Sequence, residues 1–110
     1  MRTLMKVTLP VEAGNRALKD GTLPQTVEAM AKMTKPEASY FYAEGGKRSM
    51  LFVFDMKDSS QIPSIAETFF QEMNADVEFY PVMNADDLKK GIAGLQKASG
   101  RRHGRVPLEA

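Results

Sequence analysis

The stretch 37–56, EASYFYAEGGKRSMLFVFDM, predicts two β-strands joined by a two-residue turn. A Gly-Gly pair between runs rich in Tyr, Phe and Val is typical of a β-hairpin, because both central residues of a type I′ turn need a positive φ, which glycine adopts without steric cost. Gly45 and Gly46 therefore fix the register of the strands. Counting outward from the turn places Tyr40 opposite Leu51.

This register gives the predicted sheet two faces of different chemistry, since successive side chains of a strand point to opposite sides. One face of the hairpin carries Phe41, Met50, Phe52 and Phe54, and we expect the helices to pack against it. The opposite side is more polar, and we call it the mixed face. With the matching positions of the first and fourth strands it carries Leu4, Lys6, Thr8, Tyr40, Tyr42, Leu51, Val53, Glu78, Tyr80 and Val82.

Helix and strand patterns alternate along the rest of the chain. The predicted elements are a strand at 3–9, a helix at 11–34 interrupted at Gly21, a helix at 57–74, a strand at 75–83 and a last helix after Asn84. This order, βαββαβ with an added C-terminal helix, predicts an α+β fold of ferredoxin-like topology, with an antiparallel sheet and both crossover helices on one face.

Three details of the predicted helices can be tested directly. Thr22 is a candidate N-cap for the second half of the interrupted helix. The helix at 57–74 has an apolar stripe that includes Phe69 and Phe70. The last helix has a narrow apolar seam, which we expect to dock on another surface; it consists of Leu88, Ile92 and Leu95.

Length and composition bound the function. The chain of 110 residues is long enough for one core, and its 43% hydrophobic and 26% charged residues are ordinary for a globular domain. Cysteine is absent, so no disulfide, thiolate nucleophile or cysteine-ligated metal is possible. The N-terminal stretch MRTLMKVTLP lacks the apolar run of a signal peptide, and we expect a cytoplasmic protein without a membrane partner.

The two ends of the chain differ in charge. We expect residues 1–97 to form a single ferredoxin-like domain and residues 98–110 to form a basic, flexible tail with three arginines. The body is close to neutral, so nucleic acid is not an expected partner, although the tail could recruit nucleic acid or an acidic protein weakly. His103, the only histidine, lies in this tail, and we expect no metal site.

The mixed face is too apolar for a small monomer to leave in water. Packing against the same face of a second chain is the simplest way to cover it, and we therefore expect a homodimer.

Four stretches carry a family resemblance: EAGNRALKDGTLP, KPEASYFYAEGGKR, FVFDMKDSSQIPSIAETFF and ADVEFYPVMNADDL. Together they resemble a group of short, functionally uncharacterised bacterial proteins of the dimeric α+β barrel type. That broad superfamily also includes muconolactone isomerase-like and antibiotic-biosynthesis monooxygenase-like proteins. The resemblance covers residues 5–92 and implies a barrel built from two facing sheets, but it implies no activity.

Polar groups on the mixed face are the candidates for a site. Lys6, Tyr40, Tyr42, Glu78 and Tyr80 would converge there, and ionisable groups in a partly closed apolar cavity could bind a small, partly apolar or anionic molecule. The same groups could serve a cofactor-independent isomerase or monooxygenase-like enzyme, with a desolvated base and a phenol or ammonium that stabilises an enolate. The third alternative is a purely structural or regulatory dimer.

Two further predictions concern individual charges. Lys6 and Glu78 lie on neighbouring strands and are expected to form an ion pair. Arg16, in the irregular first helix, could bind an anion or could form a solvated pair with Asp20, four residues away.

No nucleotide cofactor is expected, because glycine-rich phosphate-binding motifs are absent from the sequence.

Overall fold

The computed structural model describes the backbone of residues 1–101 and the side chains of residues 1–98. The elements in chain order are β1 (Arg2–Thr8), α1 (Val11–Lys19), α2 (Thr22–Thr34), β2 (Ala38–Glu44), β3 (Lys47–Asp55), a short 3-10 helix (Ser59–Gln61), α3 (Ile62–Met73), β4 (Asp76–Pro81) and α4 (Ala85–Arg101). The predicted α+β class is confirmed.

The four strands form one antiparallel sheet in the order β2-β3-β1-β4. The turn between β2 and β3 has the predicted geometry, since Gly45 and Gly46 have φ values of 59° and 77°. Tyr40 pairs with Leu51, so the predicted hairpin register is confirmed. Strands β2 and β4 are the two edges of the sheet.

The core lies between one face of the sheet and helices α1, α2 and α3. The central strands contribute the fully buried Met5, Val7, Phe52 and Phe54, and these pack with buried side chains of the three helices. At about 25 cal/mol per Å² of apolar surface, this burial is the main driving force for folding. All three helices lie on the same side, so the mixed face has no cover from residues 1–98.

The break between α1 and α2 is set by Gly21, which has a φ of 83°. The prediction that Thr22 is the N-cap is wrong, because Gly21 occupies that position and Thr22 is the first helical residue. The Thr22 backbone N–H donates to the Asp20 carboxylate at 2.9 Å instead. This carboxylate therefore satisfies one of the free amide groups at the start of α2.

Helix α3 begins after a capping box in which Asp58 accepts from the Ser60 amide and Gln61 reaches back to the Asp58 amide. Phe69 is fully buried, as predicted for the apolar stripe. Phe70 is 39% exposed, so its assignment to the core stripe is wrong. It lies 100° further round the helix, beyond the arc that faces the sheet.

Helix α4 begins at the predicted cap, where the Asn84 side chain accepts from the Asp87 amide at 2.8 Å. Beyond its first turn the helix makes no extensive packing contact with another helix or strand, so the expected docking of its apolar seam does not occur among residues 1–101. The helix continues to Arg101. The rest of the predicted basic tail, with His103, lies outside the described residues. No helix in the described part of the chain is both long enough and apolar enough to cross a membrane.

Candidate functional site

Five of the six predicted site residues lie on the mixed face. In the sheet register one row crosses all four strands as Tyr40, Leu51, Lys6 and Glu78. The adjacent row, nearer the start of β1, contains Val53, Leu4 and Tyr80, with Tyr80 at the β4 edge. Lys6 is therefore close to the centre of the face, with tyrosines along both edges.

Lys6 forms an ion pair with Glu44, with 2.8 Å between Nζ and the carboxylate. The expected pair with Glu78 does not form in the chain, although Glu78 is the direct strand neighbour of Lys6. The Tyr42 hydroxyl donates to the other Glu44 oxygen at 3.1 Å. The hydrogen bond to Glu44 raises the pKa of Lys6, and the hydrogen bonds from Lys6 and then Tyr42 lower the pKa of Glu44.

Glu78 accepts a hydrogen bond from the Tyr80 hydroxyl at the β4 edge. This bond raises the pKa of Tyr80, because loss of the phenolic proton would place two negative charges side by side. The pKa of Tyr42 is raised too, first by partial desolvation and then by its bond to Glu44. The mixed face thus has a Tyr–Glu pair on each side of Lys6.

Apolar side chains fill the space between these polar groups. Leu4, Leu51 and Val53 are half-buried within the single chain, although the face has no cover. Tyr40 is 64% exposed, and its hydroxyl has no hydrogen-bond partner among the described residues. The face therefore combines an apolar centre with polar groups at defined positions, which is the usual chemistry of a small-molecule site.

Arg2 organises one end of the mixed face. Its guanidinium binds Glu37 at 2.8 Å, just before β2, and Asp87 at 2.5 Å, in the first turn of α4. Arg2 therefore links the start of α4 to the mixed-face side of the sheet. Neither Arg2 nor Glu44 was predicted as a site residue. The predicted turn register places Glu44 on this face, and β1 begins one residue before the predicted strand, which extends its alternation to Arg2.

The pKa shifts describe the charges that the mixed face carries at neutral pH. The two phenols with raised pKa values stay protonated, but each already donates its proton to a carboxylate. Glu44, with a lowered pKa, is a poor proton acceptor. Lys6 stays charged, with its charge balanced by Glu44.

Arg16, the sixth predicted site residue, does not lie on the mixed face. It lies on the exposed side of α1, in the helical layer on the opposite side of the sheet from Lys6. With Glu12, Asn15, Lys19 and Asp20 it lines an open surface depression. Among the described residues, Arg16 forms no ion pair with Asp20 within 4.0 Å.

The residues that the structure describes contain no group of three or more carboxylates or imidazoles placed to hold a metal ion. Lys6, Tyr42 and Tyr80 each donate a hydrogen bond to a glutamate of the mixed face.

No family model matches the chain, and no curated protein is significantly similar to it. The resemblance to dimeric α+β barrel proteins remains a prediction.

Proposed function

We propose that this protein is a homodimeric α+β barrel of ferredoxin-like topology that binds a small, partly apolar molecule between two facing mixed faces. The observation that carries the proposal is the uncovered mixed face, on which Tyr40, Tyr42 and Tyr80 surround an apolar centre and one lysine. The strand order supports the topology, because β1 lies between β3 and β4 as in a split βαβ fold.

The charges on this face refine the ligand class. Lys6 is paired with Glu44, and Glu78 adds a further negative charge beside it. A strongly anionic ligand would therefore have to compete with a carboxylate for the lysine. An aromatic molecule with a carbonyl or hydroxyl group fits better, since it can stack on the tyrosines and accept one hydrogen bond from Lys6.

Two measurements test this function. Equilibrium sedimentation should give a dimer, and a thermal-shift screen of small aromatic ketones, phenols and acids should find stabilising compounds. A ligand at 100 times its Kd stabilises the folded state by about 2.7 kcal/mol. Lys6→Met should abolish the shift, while Lys32→Met, on the exposed surface of α2, should leave it unchanged.

The alternatives predict other results. A structural or regulatory dimer would sediment as a dimer but would be stabilised by no compound in the screen. Lys6→Met and Lys32→Met would then give the same result in the thermal-shift assay. Consumption of a stabilising compound by the native protein, but not by Lys6→Met, would indicate the isomerase or monooxygenase-like enzyme. A monomer at all concentrations would refute the barrel.

A further inference from the structure

The ion pair between Lys6 and Glu44 crosses the mixed face diagonally. Lys6 lies on β1 in the row of Leu51, whereas Glu44 is the last residue of β2, so the pair joins two strands that have β3 between them. Among the described residues, Glu44 forms no ion pair with its direct strand neighbour Lys47. The contact therefore depends on the reach of the two side chains and not on strand pairing.

Ser49 lies at the point where this ion pair crosses β3. It pairs with Tyr42 on one side and with Thr8 on the other, in the row between those of Lys6 and Glu44. Ser49 is only 2% exposed, although the mixed face has no cover from residues 1–98. The Lys6 side chain is 25% exposed. These exposures indicate that the ion pair lies against the sheet over Ser49.

Glu44 uses the hydrogen-bond donors that a bound carboxylate would need. Lys6 donates to one of its oxygens at 2.8 Å and Tyr42 donates to the other at 3.1 Å. Charge-assisted bonds of this kind hold a free carboxylate in a protein site. The hydrogen bonds, first from Lys6 and then from Tyr42, lower the pKa of Glu44, so it keeps its charge at neutral pH. The donor pair is therefore already occupied by a carboxylate of the same chain.

Lys6 keeps donors for a ligand without charge. An ammonium has three N–H donors, and among the described residues Lys6 uses one of them, for Glu44. A ketone or hydroxyl oxygen can accept from another without displacing Glu44. A ligand carboxylate would lie beside the Glu44 charge or would have to displace it. Like charges placed together in this way reject one class of ligand and so provide specificity.

We propose that Glu44 is the specificity-determining residue of the mixed face: it occupies the donor pair of Lys6 and Tyr42 and thereby selects neutral aromatic ketones and phenols over aromatic carboxylates. This inference rests on the proposed ligand site and names the residue that sets its ligand class. Without the charge of Glu44, the same donor pair becomes a site for a carboxylate.

Two naphthalene probes that differ in charge test this role. Methyl naphthyl ketone is neutral and naphthoate is anionic, and their binding is followed by naphthalene fluorescence. The native protein should bind the ketone about tenfold more tightly than naphthoate. Glu44→Gln keeps the size and one acceptor oxygen, and it should raise the affinity for naphthoate about tenfold while changing that for the ketone by less than about threefold. Adding Lys6→Met to Glu44→Gln should abolish the gain.

Two matched controls separate the contact made by Glu44 from the charge of the surface. Glu72→Gln removes the same charge from the exposed side of α3 and should leave both affinities unchanged. Glu78→Gln removes a charge beside Lys6 that forms no ion pair with it, and it should raise the affinity for naphthoate less than Glu44→Gln does. An equal gain in either control would assign the preference to the general potential of the surface and overturn the role of Glu44.

The results separate this inference from the proposed function. If the native protein binds the ketone but Glu44→Gln gains no affinity for naphthoate, or if the native protein binds both probes equally, the role of Glu44 is overturned and the ligand site stands. If only Glu44→Gln binds naphthoate and the native protein binds neither probe, the role of Glu44 stands and a neutral ligand is refuted. Binding of neither probe by either protein overturns both. A native dimer that becomes a monomer in Glu44→Gln would assign Glu44 to the interface and overturn its role in specificity.

Discussion

Replacing Tyr40 with alanine should weaken the protein by an amount that depends on protein concentration. Within one chain Tyr40 is 64% exposed, so its loss removes little burial and should cost about 1 kcal/mol or less. In a dimer with facing mixed faces the same ring is covered. The loss of stability caused by Tyr40→Ala therefore shows whether the mixed face is buried.

The magnitude follows from the exposed area. A tyrosine presents roughly 200 Å², so roughly 130 Å² of Tyr40 remains available for burial by a partner. At about 25 cal/mol per Å² this corresponds to at most about 3 kcal/mol, and to about 2 kcal/mol when the polar hydroxyl is discounted. In a dimer, Tyr40→Ala would remove this amount of stabilisation from each of the two chains.

Urea unfolding followed by circular dichroism, at about 1 µM and about 100 µM protein, is the assay. Mass action stabilises a native dimer by about 2.7 kcal/mol over this hundredfold range. Tyr40→Ala should reduce or abolish that gain by shifting the dimer dissociation constant upwards.

Phe52→Ala is the matched control, because Phe52 lies on the opposite face of the same hairpin and is 1% exposed. It should cost about 3–5 kcal/mol of core stability, whatever the protein concentration. An equal, small effect of Tyr40→Ala at both concentrations would show that the mixed face stays exposed, and the proposed dimer would be abandoned.

Two further predictions concern the single chain. Phe69→Ala should destabilise it by about 3–5 kcal/mol and Phe70→Ala by about 1–2 kcal/mol, because only the first ring is fully buried; equal losses in thermal unfolding would contradict the assigned helix face. Asp55 has its pKa lowered to about 2 by Lys57 and the N-terminal ammonium, so its stabilising effect is present above pH 4 and is lost as the pH falls towards 2. Asp55→Asn should flatten the loss of stability across that window, and an unchanged acid-unfolding curve would refute this contribution.

The hairpin and the strand alternation could be predicted from the sequence because both depend on local chemistry. The two glycines determine the turn, and the turn determines which residues pair. The interruption at Gly21 was predictable for the same reason, since a positive φ favours glycine. Thr22 was assigned wrongly as a cap because Gly21 takes the N-cap position with a positive φ, so that Thr22 is already the first helical residue.

The partner of Lys6 was the main misprediction at the candidate site. Strand pairing correctly places Glu78 beside Lys6, but backbone neighbours need not be the side chains that meet. A lysine side chain is long enough to cross the neighbouring strand, and Glu44 also accepts from Tyr42, which holds its carboxylate in place. Glu78 instead accepts a hydrogen bond from Tyr80 at the β4 edge.

The mixed face and the narrow apolar seam of α4 both carry large hydrophobic side chains that are exposed in the single chain. Hydrophobic periodicity indicates that such residues are buried, but it does not say which chain covers them. A small ligand could cover only part of the mixed face. In the dimer that we propose, the same face of a second chain covers the rest of the mixed face, and this is the burial that Tyr40→Ala measures.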